Sequence, residues 1–163
     1  MAEDEFVRRL GEVWHWQDNG RVGNLDLLAD AGLLVHEGLV LTRRAHEEFL
    51  RTSGALRDIE TAARRGEAAR RQAEEIRLRH ACYPVAGGLN QAICEALIGL
   101  NARSVTVLST DFSKSSLKSI PEVKDAVRDA WLSLRGLERQ VEAAARGEDL
   151  PTWPLVVYSH AKI

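Results

Sequence analysis

The feature that most constrains the fold is a run of apolar residues near the C-terminus. Val123, Val127, Ala130, Leu134, Leu137, Val141 and Ala144 recur in alternating steps of four and three. That spacing keeps one stripe of a helix apolar and is the seam of a coiled coil. The helix start is marked as well. Ser119 and Glu122 are spaced as a capping box, and Pro121 stands in the first turn, where its missing N–H is no loss. Gly147 suits the left-handed residue that follows a helix. The pattern predicts one long heptad-patterned, coiled-coil-like helix over 121–146, with Trp131 beside the seam against a neighbouring helix. Such a seam needs a partner. A second copy would make a homodimer with Val123, Val127, Leu134, Leu137 and Val141 at its interface. A helix elsewhere in the chain could fill the seam instead.

The candidate for that helix is residues 55–80, rich in Ala, Arg and Glu. Leu56, Ile59, Ala63, Gly66, Ala69, Ala73 and Ile76 line one side of it, small enough to accept large knobs. Glu60–Arg64, Glu67–Arg71 and Glu75–Arg79 are (i, i+4) pairs in the favourable order. "ACYPVAGG" ends this pattern, and "LNQAICEALIGL" resumes it as a well-buried helix. The tail "LPTWPLVVYSHAKI" is interrupted by Pro, and its Val156, Val157 and Tyr158 favour an extended chain. Trp153 and Tyr158 make it too apolar for a free arm. It is expected to be ordered, either paired with a strand at Leu39–Leu41 or against a partner.

The first 52 residues read as a small module. A short helix is expected over 3–16, on the spacing of Phe6, Leu10, Val13 and Trp14. A second runs from Leu25 to about Gly32. A hairpin follows in "VHEGLVLT", and Thr42 caps the next helix. The stretch "LLADAGLLVHEGLVLTRRAHEEFL" resembles the wing region of winged-helix regulators, in which a helix, a strand pair and a Leu-Thr helix start follow one another. Asp26 and Asp30 on the would-be reading helix oppose a phosphate backbone, so this module is read as structural or as a dimer contact.

Composition changes in "TVLSTDFSKSSLKSI", residues 106–120. Six of the nine serines lie between Ser104 and Ser119, and Lys114, Lys118 and Lys124 are three of the four lysines. Two readings are open. In one, Val105, Val107 and Leu108 bury the first helix of a helix-turn-helix over 105–120. Asp111 then sits at the turn, Phe112 plugs the corner and Ser113 caps the second helix. In the other, "SVTVL" is a buried strand followed by a Ser-rich loop and a helix cap. Helix-turn-helix followed by a seam, over roughly residues 89–146, resembles accessory DNA-binding proteins of plasmids and transposons. That resemblance implies duplex DNA as a partner, with Arg103, Ser113, Lys114, Ser115, Lys118 and Lys124 against phosphates. No Arg, Asn or Gln stands on the proposed reading face, so sequence discrimination would be modest.

The remaining signals mostly exclude. In 163 residues, 45% hydrophobic and 28% charged with a net charge of −2, there is material for a core but no generally basic coat. The acidic start "MAEDEF" lacks the order of a signal peptide. No apolar run reaches the roughly 18 residues that span a bilayer. A cytoplasmic location without membrane contact is the expectation. No phosphate-binding loop, dinucleotide fingerprint, nucleophile elbow or H-E-x-x-H is present. His80, Cys82 and Cys94 offer three soft ligands without a fourth or a C-x-x-C, so neither metal nor cofactor is expected. The sequence therefore predicts a mainly α protein with a small winged-helix-like β-hairpin element at 1–52 and a helical domain at 53–163. Its function is expected to be non-catalytic: DNA binding with a regulatory or accessory role, or, alternatively, a helical module for a protein partner.

Overall fold

The apolar tail lies in the middle of a sheet. The computed structural model of the chain describes residues 6–10, 37–100, 102–109 and 112–159. Among them are five strands: β1 (Val7–Arg9), β2 (Gly38–Leu41), β3 (Val105–Leu108), β4 (Ser113–Leu117) and β5 (Leu155–Ser159). Their order is β1-β2-β5-β3-β4, with every neighbouring pair antiparallel. Six helices accompany them: α1 (Arg43–Ser53), α2 (Ala55–Arg65), α3 (Ala69–His80), α4 (Gly87–Leu100), α5 (Ile120–Trp131) and α6 (Leu134–Ala145). The chain is an α/β protein, which corrects the mainly α expectation. The strands hold three to five residues each. Runs that short span little more than one helical turn, so a strand is hard to tell from a helix fragment by spacing.

β5 pairs with β2 in the register Leu39↔Val157 and Leu41↔Leu155, the pairing the sequence allowed for the tail. On its other side it pairs with β3, Val107↔Val157. The sheet thus joins residues 7–9 and 38–41 to 155–159 and crosses the boundary expected at 52/53. Leu39, Leu41, Val105, Val107, Leu155 and Val157 enter the main core with the helices. Val40 and Val156 are fully buried in a second cluster, with Leu10 and Tyr158 packed on it. The central strands are therefore buried on both faces. That is why "LVL" and "LVV" are unbroken apolar runs instead of alternating ones. Gly38, the expected turn of the hairpin inside 35–42, is instead the first residue of β2, whose partners are β1 and β5; Val35 and His36 lie outside the described residues. The helix expected over 3–16 is corrected where it is described, since Val7–Arg9 is a strand, while residues 3–5 and 11–16 lie outside the described residues. The helix expected from Leu25 to Gly32 lies outside the described residues.

Both long helices expected from the sequence are broken. α2 and α3 are separated at Gly66, whose φ of 66° is left-handed and ends α2. Glu67 therefore leaves the helix surface, and its carboxylate accepts from Gln72 Nε2 at 2.6 Å. The (i, i+4) ion pairs that form in α3 are Arg70–Glu74 and Arg71–Glu75, while Arg79 reaches Asp58 on α2 and Arg70 also reaches Glu138 on α6. The expected helix over 121–146 is likewise two. α5 ends at Trp131, and Ser133 starts α6 by accepting from the Gly136 N–H. The apolar stripe is split between two neighbourhoods. α5 packs on β3, β4 and α4, whereas α6 packs on α2 and α3. Val123, Val127, Leu137 and Val141 are buried inside one chain, and Leu134 is half-buried. The seam that suggested a homodimer is consumed within the chain.

The local signals hold. Thr42 Oγ1 accepts from the Ala45 N–H at the start of α1. Ser119 Oγ accepts from the Glu122 N–H, with Pro121 in the first turn of α5. Glu122 returns its carboxylate to the Lys118 N–H, one residue before the one a capping box uses. Past α6, the Gly147 N–H meets the Ala144 carbonyl and the Glu148 N–H the Ala143 carbonyl, a Schellman closure with Gly147 at φ 69°.

Candidate functional site

Residues 105–120 form no helix-turn-helix. They are β3, β4 and the cap of α5. Alternation explains it: Val105 and Val107 enter the core, and Thr106 between them is buried on the other face of the sheet. β4 closes the sheet as an edge strand. The hairpin turn is tied by the Ser109 N–H donating to the Phe112 carbonyl at 2.8 Å. Thr110 and Asp111, the expected turn residue, lie outside the described residues.

The hairpin carries a β-bulge. Val105 pairs with Leu117 and Val107 with Lys114, so Thr106 stands opposite two residues, Ser115 and Ser116. Ser116 takes up the extra residue at φ 61°, an unusual conformation for a side chain with a Cβ. Thr106 Oγ1 donates to Ser115 Oγ at 3.2 Å, tying the bulge to the sheet. The residues proposed for phosphate contact are thereby spread around a rim. Lys114 stands in register with Val107, while Ser113 pairs with Leu108 and Ser115 with Thr106 across the other face. The single helical face expected for Lys114 and Lys118 does not exist. Ser113, Lys114, Ser115, Ser116 and Lys118 are all exposed, as is Arg103 near the hairpin's other end. Among the described residues no carboxylate forms an ion pair with Arg103, Lys114 or Lys118. Lys124 is placed elsewhere: it is half-buried and donates from Nζ to Asn90 Oδ1 of α4 at 2.9 Å.

A second constellation was not found in the sequence. His46 of α1 is wholly buried, stacked on Trp131 with centroids 5.2 Å apart and edge-on to Trp153 at 4.4 Å. The Trp153 N–H donates to His46 Nδ1 at 3.0 Å, and Trp131 Nε1 donates to the Trp153 carbonyl at 3.3 Å. Gln140 Nε2 holds the Pro151 carbonyl at 3.0 Å. These side chains anchor the segment that leads into β5. Since Nδ1 accepts, the proton of neutral His46 sits on Nε2, which has no partner among the described residues. Burial pushes the His46 pKa from 6.5 down to about 3. The ring is a neutral core element with no access for a substrate. The only advance signal was helical spacing of His46 with Phe49 and Leu50, which marks a buried face and no more.

His80, considered as a metal ligand, bonds Asp58 Oδ2 through Nε2 at 2.6 Å, and Arg79 joins the same carboxylate at 3.1 Å. Burial works to raise the Asp58 pKa, but the bonds from His80 and Arg79 outweigh it and hold the pKa below the usual value. Tyr83 donates to the Thr52 carbonyl at 2.6 Å beside this pair. The group clamps α2 to α3. Cys82 is exposed, and Cys94 on α4 stands 3.7 Å from Asn90 Oδ1. Among the described residues no three His, Cys, Asp or Glu side chains are placed to hold a metal ion. Of the residues expected at an interface, Trp153 and Tyr158 are half-buried around β5. Among the described residues no helix is long and apolar enough to cross a membrane.

No protein-family model matches the chain, and no curated protein matches it.

Proposed function

We propose that the protein is a non-catalytic binder of duplex DNA, in an accessory or regulatory role, that meets the phosphate backbone along the β4 edge with modest sequence discrimination. The observation that carries this reading is the stretch Ser113–Ser119, exposed at every residue but Leu117. It holds two lysines, four serines and no carboxylate in a chain whose net charge is −2. Hydroxyls, ammonium groups and the outward N–H groups of an edge strand are all donors, and phosphate oxygens accept from each. The bulge at Ser116 favours this over strand addition by a partner protein. A bulged, lysine-bearing edge resists a new ladder, whereas donors to phosphate need no regular register. Arg, Asn and Gln, the usual makers of bidentate base contacts, are absent from β4, so discrimination between sequences should be small. The rival reading, a helical module for a protein partner, keeps the near-neutral charge as support but is weakened in its other two, the seam and the tail. The seam is buried against the chain's own helices and strands, and the tail is β5. The cytoplasmic location expected from the sequence is compatible with this role.

Anisotropy titrations of labelled duplexes across a salt series test the proposal. Affinity is expected to fall steeply with salt and to differ little between unrelated sequences. Lys114→Ala and Lys118→Ala should each lower the salt slope by about one. The same changes at Arg43 and Arg44 should leave it unaltered. Wild-type protein without duplex affinity at low salt would refute the proposal.

A further inference from the structure

The β3–β4 hairpin borders a cleft that phosphate contact does not explain. Its walls are Leu97 of α4, Ala102, Val105, Leu117, and Ile120 and Val123 of α5, with Lys118 and Ser119 completing the lining. Six of the eight lining residues are aliphatic, and the one charged residue among them is Lys118. The neighbouring polar groups are occupied. Ser119 Oγ caps α5, and the Glu122 carboxylate is held on the Lys118 N–H. A duplex offers phosphate without an aliphatic body, so it leaves these walls bare. The volume is about 60 Å³. A water needs roughly 10–15 Å³ by a similar measure, and a cavity of about 150 Å³ takes benzene. The cleft is therefore sized for a branched group of a few carbons.

We infer that this cleft binds a short branched aliphatic carboxylate. Its methyl groups lie against Leu97, Val105 and Val123, and its carboxylate meets Lys118. The apolar body gains by leaving water, and the ammonium selects an anionic head over a neutral one. The same chemistry is carried by a free acid and by the C-terminal Leu or Val of a polypeptide. The inference shares Lys118 with the DNA-binding proposal but stands without it, because it rests on the cleft walls and needs no duplex.

The test is methyl NMR of the full chain titrated with isovalerate. Shifts are expected at the methyls of Leu97, Val105, Leu117, Ile120 and Val123, saturating in the millimolar range, with distant methyls such as those of Val40 unmoved. Lys118→Met, which keeps the stem and removes the charge, should weaken isovalerate roughly tenfold. Ala102→Leu should block the cleft. The neutral isosteric alcohol, 3-methyl-1-butanol, should bind wild type about as weakly as isovalerate binds Lys118→Met, which checks the charge requirement even if a variant misfolds. N-acetyl-leucine separates the sources: tighter binding than isovalerate assigns the site to a chain terminus, weaker binding to a free acid. Cleft methyls that do not respond at tens of millimolar isovalerate would overturn the inference. So would an alcohol that binds as tightly as the acid.

Discussion

Strand β3 has two neighbours that differ in nearly every physical respect. β5 on one side has Leu155, Val156 and Val157 buried and is anchored upstream by His46, Trp131 and Gln140. β4 on the other side exposes Ser113, Lys114, Ser115 and Ser116 and buries only Leu117. One strand invests its side chains in the core, and the other leaves its donors facing outward. The difference teaches where to look for function. Residues that hold the sheet together are spent on packing, whereas β4 is free to contact something else because the fold asks little of it.

Substitutions in the anchor should separate the two regions most strongly. Trp131→Ala removes a wholly buried indole that stacks on His46 and lies 5.6 Å from the Phe49 ring. A loss of about 3–5 kcal/mol is expected, read by chemical denaturation. A loss under about 1 kcal/mol would mean that the region is not the core it looks like.

Acid should act next, and on the same side of the comparison. His46 has a folded pKa of about 3 against 6.5 when free. Between those values the unfolded chain binds the proton and the folded chain does not, so stability falls as pH drops from about 6.5 towards 3. The slope from this group approaches 1.4 kcal/mol per pH unit. His46→Gln should flatten the pH dependence of unfolding over that window, whatever its cost at pH 7. An unchanged slope would show that the ring is not buried as a neutral group.

A pair of glycines gives a smaller and signed effect. A Cβ on Gly136 of α6 would collide with Trp153 Cη2, whereas one on Gly99 of α4 would meet nothing within 4 Å. Alanine gains up to about 1 kcal/mol over glycine in a helix. Gly99→Ala should therefore stabilise. Gly136→Ala should destabilise by about 1–3 kcal/mol, because displacing the indole outweighs the helical gain. Matching signs in thermal melts would sink this account of Trp153.

The smallest effect belongs to the edge. Lys114→Ala and Lys118→Ala should change stability by less than about 0.5 kcal/mol, since exposed side chains outside the packed network contribute little. A large loss at Lys114 would erase the contrast between the two strands and turn β4 into a structural element.

What the sequence determined by itself is local. The caps at Thr42 and Ser119 and the Schellman closure at Gly147 involve groups within five residues of one another, so nearby residue types suffice to specify them. It also marked which residues are buried, since Val123, Val127, Leu137, Val141, Val156 and Val157 all are. Even the break between α5 and α6 had a local sign in Ser133, an N-cap residue type in mid-pattern, but continuous apolar spacing across it masked the break. What only the tertiary structure decided is what those residues bury against. Val105 and Val107 are strand because β5, some fifty residues later, offers them a ladder. The seam is split because α5 and α6 meet different neighbours. The edge is polar because the sheet ends at β4. Pairing energy between distant segments is absent from any short window of sequence, and here it chose strand over helix, tail over arm, and rim over recognition face.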